Sequence, residues 1–309
     1  MSSMTVDHPL VARQHANQRG IVLMIGAMTS FLANDTFVKL GAPLMPASEI
    51  MAIRGVFASL FVLGLILASG LRPQMRLLFQ RPVAIRGCTE VLVSLTSIVG
   101  LAHVAIGTAT TIGQITPLVL LALSALILKE RVDGRRWLAV LVGFLGVLFV
   151  AHPTATGLNL FIIFTLASAT LTAIRDLMTY RMGAKIPTLL ATFGTTVIVS
   201  LAGFAGATVQ AWKPLDLHAL IILMCGGIGL AGGHALVIAS YRGAEVSVVS
   251  PFRYSGIPLS VIAGLVVFGD FPDLWAGFGM VLIALSGLYA ANREARRRRA
   301  IEAALAKAA

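Results

Sequence analysis

The feature that most constrains this chain is a succession of ten apolar stretches, each long enough to cross a bilayer as a helix. Breaks at charged or Pro/Gly-rich points place them at about 20–40, 47–69, 86–103, 107–128, 135–152, 158–180, 186–210, 217–239, 246–268 and 273–291. One helical crossing takes about 20 mostly apolar residues. Ten crossings therefore leave only short loops and two tails from 309 residues. Charged residues make up 12% of the chain, about half of the roughly 25% usual for soluble domains. That is too little to coat a water-facing surface. The fold expected is an all-α integral membrane protein with ten transmembrane helices. Disulfide scaffolds, disordered chains and soluble enzymes are excluded. Cys88 and Cys225 lie alone in apolar spans and read as packing residues.

A formal charge of +11 would suit a nucleic-acid partner, but the positions of the basic residues argue otherwise. With the N-terminus in the cytoplasm, all but four of the 24 lysines and arginines fall in the tails or in inward-facing loops and helix ends. Lys213 is the one in an outward loop; Lys39, Arg54 and Arg253 lie within spans. Cytoplasmic loops of multi-pass proteins carry such an excess. The basicity therefore reports topology, with both termini cytoplasmic in a cell inner membrane, and no nucleic-acid partner is expected. Residues 21–40 are not a signal peptide, because the apolar run is too long and contains Asn34, Asp35 and Lys39.

The two halves echo each other. At an offset of 141 residues Asp35 falls on Asp176 and Pro117 on Pro258. After a one-residue gap, Glu130 falls on Asp270 and Ala139 on Gly279. Five helices per copy is an odd number, so the second copy must enter the membrane from the opposite side. Inverted repeats of this kind mark secondary transporters, whose substrate binds near the midplane between the copies. The expected organisation is a tail at 1–19, a first repeat at 20–152, a second at 158–291, and a basic tail at 292–309.

Three segments carry a family resemblance: FLANDTFVK at 31–39, PLVLLALSALILKERVDGRRWLAVLVGFLGVLFVAHP from Pro117, and GHALVIASYRGAEVSVVSPFRYSGIPLSVIAGLVVFGDFPDLWAGFGMVLIALSGLY from Gly233. Together with Arg54 they resemble the EamA-type family of the drug/metabolite transporter superfamily. The resemblance extends over about 20–290. It implies ten helices, cytoplasmic termini and a central cavity lined mostly by helices 1, 3, 4, 6, 8 and 9. It does not fix the substrate, since the family carries many kinds of metabolite and drug.

Ionisable groups inside a bilayer are functional candidates by default. Asp35 on helix 1 and Arg54 on helix 2 reach similar depth, with Lys39 and Glu49 one turn further out. Two readings stand: structural ion pairs between helices 1 and 2, or an Asp35–Asn34 group that faces the cavity and takes substrate or a proton. Arg175, Asp176 and Arg253 form the mirrored set, with Arg175 able to snorkel toward headgroups. Glu90 pairs with Arg86 or faces inward as a proton carrier. His103 and His234 serve as packing groups or relays. Gly229 and Gly233 in helix 8 permit close helix approach. This is read as an internal contact rather than a dimer seam, so a monomer or weak homodimer is expected.

Helices 4 and 9 are the most informative. Thr110, Gln114 and Pro117 share a face on helix 4, and helix 9 carries Pro251, Arg253, Tyr254 and Pro258. A proline frees the carbonyl four residues earlier, here that of Gly113 and, at the equivalent place, Tyr254. Broken helices at symmetric places point to a transport site, and Gln114, Tyr254 and Asn34 are the first substrate contacts expected. No metal-binding spacing, cofactor motif or GxxxxGK[ST] loop occurs. The chain reads as a secondary transporter, not an enzyme. It would move a small organic metabolite by alternating access, with an amino-acid-like zwitterion favoured and coupling to protons or to the solute gradient. A planar vitamin, nucleoside-like solute or drug is the alternative, and a membrane-embedded lipid-modifying enzyme the remote one.

Overall fold

The structure is a computed structural model that describes residues 7–70, 72–127, 129, 132–152, 159–182, 186–241 and 244–308. Glu130, used in the repeat comparison, and Arg131, Lys185 and Arg242, counted among the inward basic residues, lie outside the described residues. Ten helices follow in order: α1 Asp7–Gly41, α2 Ala47–Ala68, α3 Arg81–His103, α4 Ile106–Ile127, α5 Gly134–Val150, α6 Ile162–Met182, α7 Thr188–Gly206, α8 Leu217–Ser240, α9 Ser250–Phe268 and α10 Leu274–Ala308. Among the described residues, eight are long and apolar enough to cross a membrane. The other two stand at the fifth and sixth expected spans: α5 has 17 residues, and α6 carries Arg175 and Asp176 in its second half.

Both end helices outrun their expected spans. Helix α1 starts at Asp7 rather than near residue 20, because Pro9 sits in the first turn, where no backbone donor is needed, and no breaker follows. Helix α10 continues to Ala308 through a tail of Ala, Arg, Glu and Lys, all strong helix formers. Arg293 on α10 donates to Asp133 at 2.7 Å, and Asp133 caps α5 by accepting from the Arg136 N–H. The Arg293 hydrogen bond holds the Asp133 carboxyl below its ordinary range.

Helix packing is symmetric between the halves. Helix α1 packs on α8 and, at the equivalent place, α6 packs on α3; α2 crosses α7, α4 crosses α9 and α5 crosses α10. Small residues make these crossings close. A Cβ on Gly146 would lie 2.9 Å from the Gly279 carbonyl oxygen, and one on Gly203 2.7 Å from that of Ser48. Gly229 faces the α1 backbone at Ser30 and Asn34, and Gly233 faces the Phe31 ring, so this stripe is an internal contact. Bulky side chains point the other way. On α5, Leu138, Leu141, Leu145 and Leu148 are exposed while Ala139, Gly143, Gly146 and Val147 are buried, as lipid on the outside requires.

Candidate functional site

Both helices with interior prolines are broken. Helix α4 is regular from Ile106 to Gly113 and again from Thr116 to Ile127. Pro117 cannot donate to the Gly113 carbonyl, and the Thr116 hydroxyl does so instead, at 2.7 Å. In α9, Ser250–Ser255 is a tight 3-10 turn opened by Pro251, Gly256–Ala263 is α-helical, and Gly264–Phe268 is a wider π turn. Gly256 lies where the two breaks meet: a Cβ there would stand 2.8 Å from the Gln114 amide nitrogen.

A cavity of about 410 Å³ lies against these breaks, within the roughly 300–1,000 Å³ usual for sites that enclose whole small molecules. Its lining runs from Leu101 and Ala109 to Thr188, the first residue of α7, so it reaches toward the face that carries the termini. A second cavity of about 470 Å³ occupies the opposite end, lined by His152, Asn159, Asp270 and Asp273 among others. Between them stand Leu101, Val104 and Ile106, buried in one apolar cluster.

Asn34, Asp35, Arg54, Glu90, Thr110, Gln114, Pro117, Asp176 and Arg253 all line the central cavity. Seven helices and the Arg54 side chain of α2 contribute to it. The ionisable groups form an ordered set. Arg175 bridges Glu90 at 2.8 Å and Asp176 at 2.7 Å. Arg54 donates to the Asn34 side-chain oxygen at 2.9 Å, and the Asn34 amide nitrogen donates to Asp35, also at 2.9 Å. Arg86, buried, donates to the Thr195 hydroxyl and the Ala191 carbonyl on α7.

Several expectations need correction. Arg54 reaches Asn34 rather than bonding Asp35 directly. Lys39 and Glu49 do not pair: Lys39 donates to the carbonyls of Leu101 and Val104, and Glu49 accepts from the Lys213 N–H. The reason is local. Helix α3 ends at His103 with open carbonyls that attract a cation, and the 207–216 connection folds over the start of α2. Tyr254 does not line the cavity. It is buried in an apolar cluster with Ile115, Val147 and Ile283, with its hydroxyl against Gly287 of α10. His103 is exposed at the end of α3, stacked on Phe161 at 3.8 Å, and lines neither cavity. Pro251 and Pro258 shape α9 without lining the central cavity.

Arg86, Arg175 and His234 also line it. The signal for Arg175 was its own neighbour: a snorkelling arginine beside an aspartate at that depth is better satisfied by a second acid across the cavity. Nothing in the sequence separates Arg86 from the other basic residues at helix ends.

Residues 18–151 match the sequence model of the EamA-like transporter family. The S-adenosylmethionine uptake transporter of Rickettsia bellii is 24% identical over 87% of this chain and 92% of its own length. The riboflavin transporter of Rhizobium johnstonii is 27% identical over 65% of this chain and 67% of its own. The pseudopaline exporter CntI of Pseudomonas aeruginosa is 22% identical, covering 86% and 94%. A crystal structure with a TM-score of 0.63 and 17% identity covers 92% of this chain and 99% of that one, which shows a shared fold. The family match covers the first half of the chain, and the relatives named as transporters extend over most of it. With its apolar helices the chain is a multi-pass membrane protein whose likeness is to small-molecule transporters rather than to enzymes.

Proposed function

We propose that this chain is an EamA-type transporter that moves a small metabolite bearing both an acidic and a basic group across the inner membrane by alternating access. The observation that carries the reading is the central cavity. It gathers carboxylates and guanidinium groups from both halves of the chain around two broken helices, at a depth where each such group is costly. The central cavity and the opposite vestibule are the two sides of one path, exchanged as the halves rock about the α2–α7 and α4–α9 crossings. Both termini face the cytoplasm, and protons or the solute gradient drive the exchange. S-adenosylmethionine, named for the Rickettsia relatives, joins an amino-acid end to a nucleoside, so an amino-acid-like solute and a nucleoside-like one are met in one molecule. The riboflavin transporters among the relatives favour, as second reading, a planar solute.

A thermal-shift screen of the purified chain against pooled metabolites, followed by uptake of the hits into proteoliposomes, tests the reading. A ligand that binds only the folded form raises its melting point. Zwitterionic hits that are also taken up support it; hits confined to uncharged planar solutes would favour the second reading. Gln114→Ala should leave melting unchanged and weaken transport at limiting substrate about two- to tenfold, as expected for one lost hydrogen bond. Reporters placed after Ala309 and at Gly157 should be active only in their cytoplasmic and external forms respectively.

A further inference from the structure

The charges around the central cavity differ in what they already bond. Glu90 and Asp176 share Arg175, and Arg54 is taken up by Asn34. Arg54 makes that bond through one terminal nitrogen and leaves its Nε buried without an acceptor, and two further lining groups keep more of their capacity unused. Asp35 on α1 receives one hydrogen bond among the described residues, from the neutral Asn34 amide. Arg253 on α9 makes no hydrogen bond or ion pair among them, and its Nε is buried without an acceptor. Asp176, which lines the same cavity, is committed to Arg175. A buried guanidinium N–H without an acceptor is costly, and Arg253, half-buried, borders the cavity where an anionic group would supply one.

The two groups come from opposite halves, on helices that pack together. Their surroundings differ in a useful way. The Arg54–Asn34 relay turns the amide so that its NH₂ faces Asp35, steadying the carboxylate without neutralising it through a direct ion pair. Thr110 and Thr165 also line the cavity, but their hydroxyl oxygens are buried away from it, that of Thr165 against Gly100 of α3.

We propose that Asp35 and Arg253 are the two poles of the substrate site. Asp35 takes the ammonium group and Arg253 the carboxylate of one zwitterion of the α-amino-acid type. The Glu90–Arg175–Asp176 bridge is scaffold, closed to the ligand. This rests on the transport reading above and adds to it which residue holds which end.

The test uses the full chain, purified, with the twenty common α-amino acids as thermal-shift probes. For the strongest stabiliser, the amine lacking its carboxylate and the acid lacking its amino group are then titrated. In the parent, losing either group weakens binding about tenfold or more, the scale of a charge-assisted bond. In Asp35→Asn the zwitterion and the amino-free acid bind nearly alike; in Arg253→Gln the zwitterion and the carboxylate-free amine do. Where Arg253→Gln does not accumulate, Arg253→Lys carries the same comparison, with a reduced preference for the carboxylate. If both variants keep the parent's full discrimination, the pole assignment is overturned while zwitterion transport stands. If no amino acid stabilises the parent, the pole assignment for an α-amino acid is overturned, and the transport reading is decided by the wider metabolite screen.

Discussion

The ammonium group of Lys39 lies 2.7 Å from the carbonyl oxygen of Val104 and 3.1 Å from that of Leu101. This ties α1 to the end of α3 and to the short link before α4. The same group stands over the Phe268 ring, 5.4 Å from its centre, where the π turn of α9 ends. One side chain thus pins three helices at the level that separates the two cavities.

Replacing Lys39 with Met should loosen that level. In a background without Cys88 and Cys225, a cysteine at Leu32 would label faster with an impermeant maleimide added from the face opposite the termini. Hydrogen bonds to a charged group are worth about 1.5–3 kcal/mol, so labelling should rise roughly tenfold or more. An unchanged rate would remove Lys39 from the closure.

Arg175 holds two acids, so its loss strands both. Arg175→Met should cost about 3–5 kcal/mol, the range for removing one partner of a buried ion pair, seen as a drop in melting temperature or yield. Adding Glu90→Gln and Asp176→Asn should recover part of it. A triple variant no more stable than the single one would show that the bridge does not carry the loss.

The Arg54–Asn34 bond predicts which pairs are coupled. A double-mutant cycle of Asn34→Ala with Arg54→Met should give a coupling of about 1.5–3 kcal/mol in stability, and the cycle of Asp35→Asn with Arg54→Met a smaller one. The reverse order would mean that Arg54 bonds Asp35 directly.

Tyr254 carries a buried hydroxyl with no partner among the described residues. Burying such a group costs about 1–3 kcal/mol in protein mutational series. Tyr254→Phe should therefore hold or raise the melting temperature and leave the KM for uptake unchanged. A raised KM would return Tyr254 to the site.

The Asp133–Arg293 contact makes a pH-dependent prediction. The folded carboxyl titrates below its reference value of 3.8, so the contact stabilises above that value and is lost as pH falls through the lower folded one. Parent and Arg293→Gln should differ in melting temperature at neutral pH and converge in strong acid. A difference that persists at low pH would point to packing rather than charge.

Where each residue lies along its helix was legible in the sequence; which way it points was not. Apolar runs bounded by charge placed the helices, because bilayer thickness sets their length. Direction around the axis is normally read from a polar face, and these helices have none: lipid covers the outside and small apolar residues the inside. Arg253 and Tyr254 show the consequence. Neighbours in a 3-10 turn point about 120° apart, and here one faces the cavity while the other meets Gly287. Lys39 and Glu49 failed as a pair for a related reason. Depth matched them, but their partners came from α3 and the 207–216 connection, which no local pattern brings near.

The cross-pairing of the halves also bears on how the chain is made. The packing partner of α1 is α8, that of α2 is α7 and that of α5 is α10. When the ribosome has completed the first five helices, their docking surfaces still face lipid, with Gly55 and Gly146 waiting on segments not yet translated. Assembly must therefore follow insertion of the second half. A first half expressed alone should reach the membrane and be degraded there, and it should survive when the second half is supplied as a separate polypeptide.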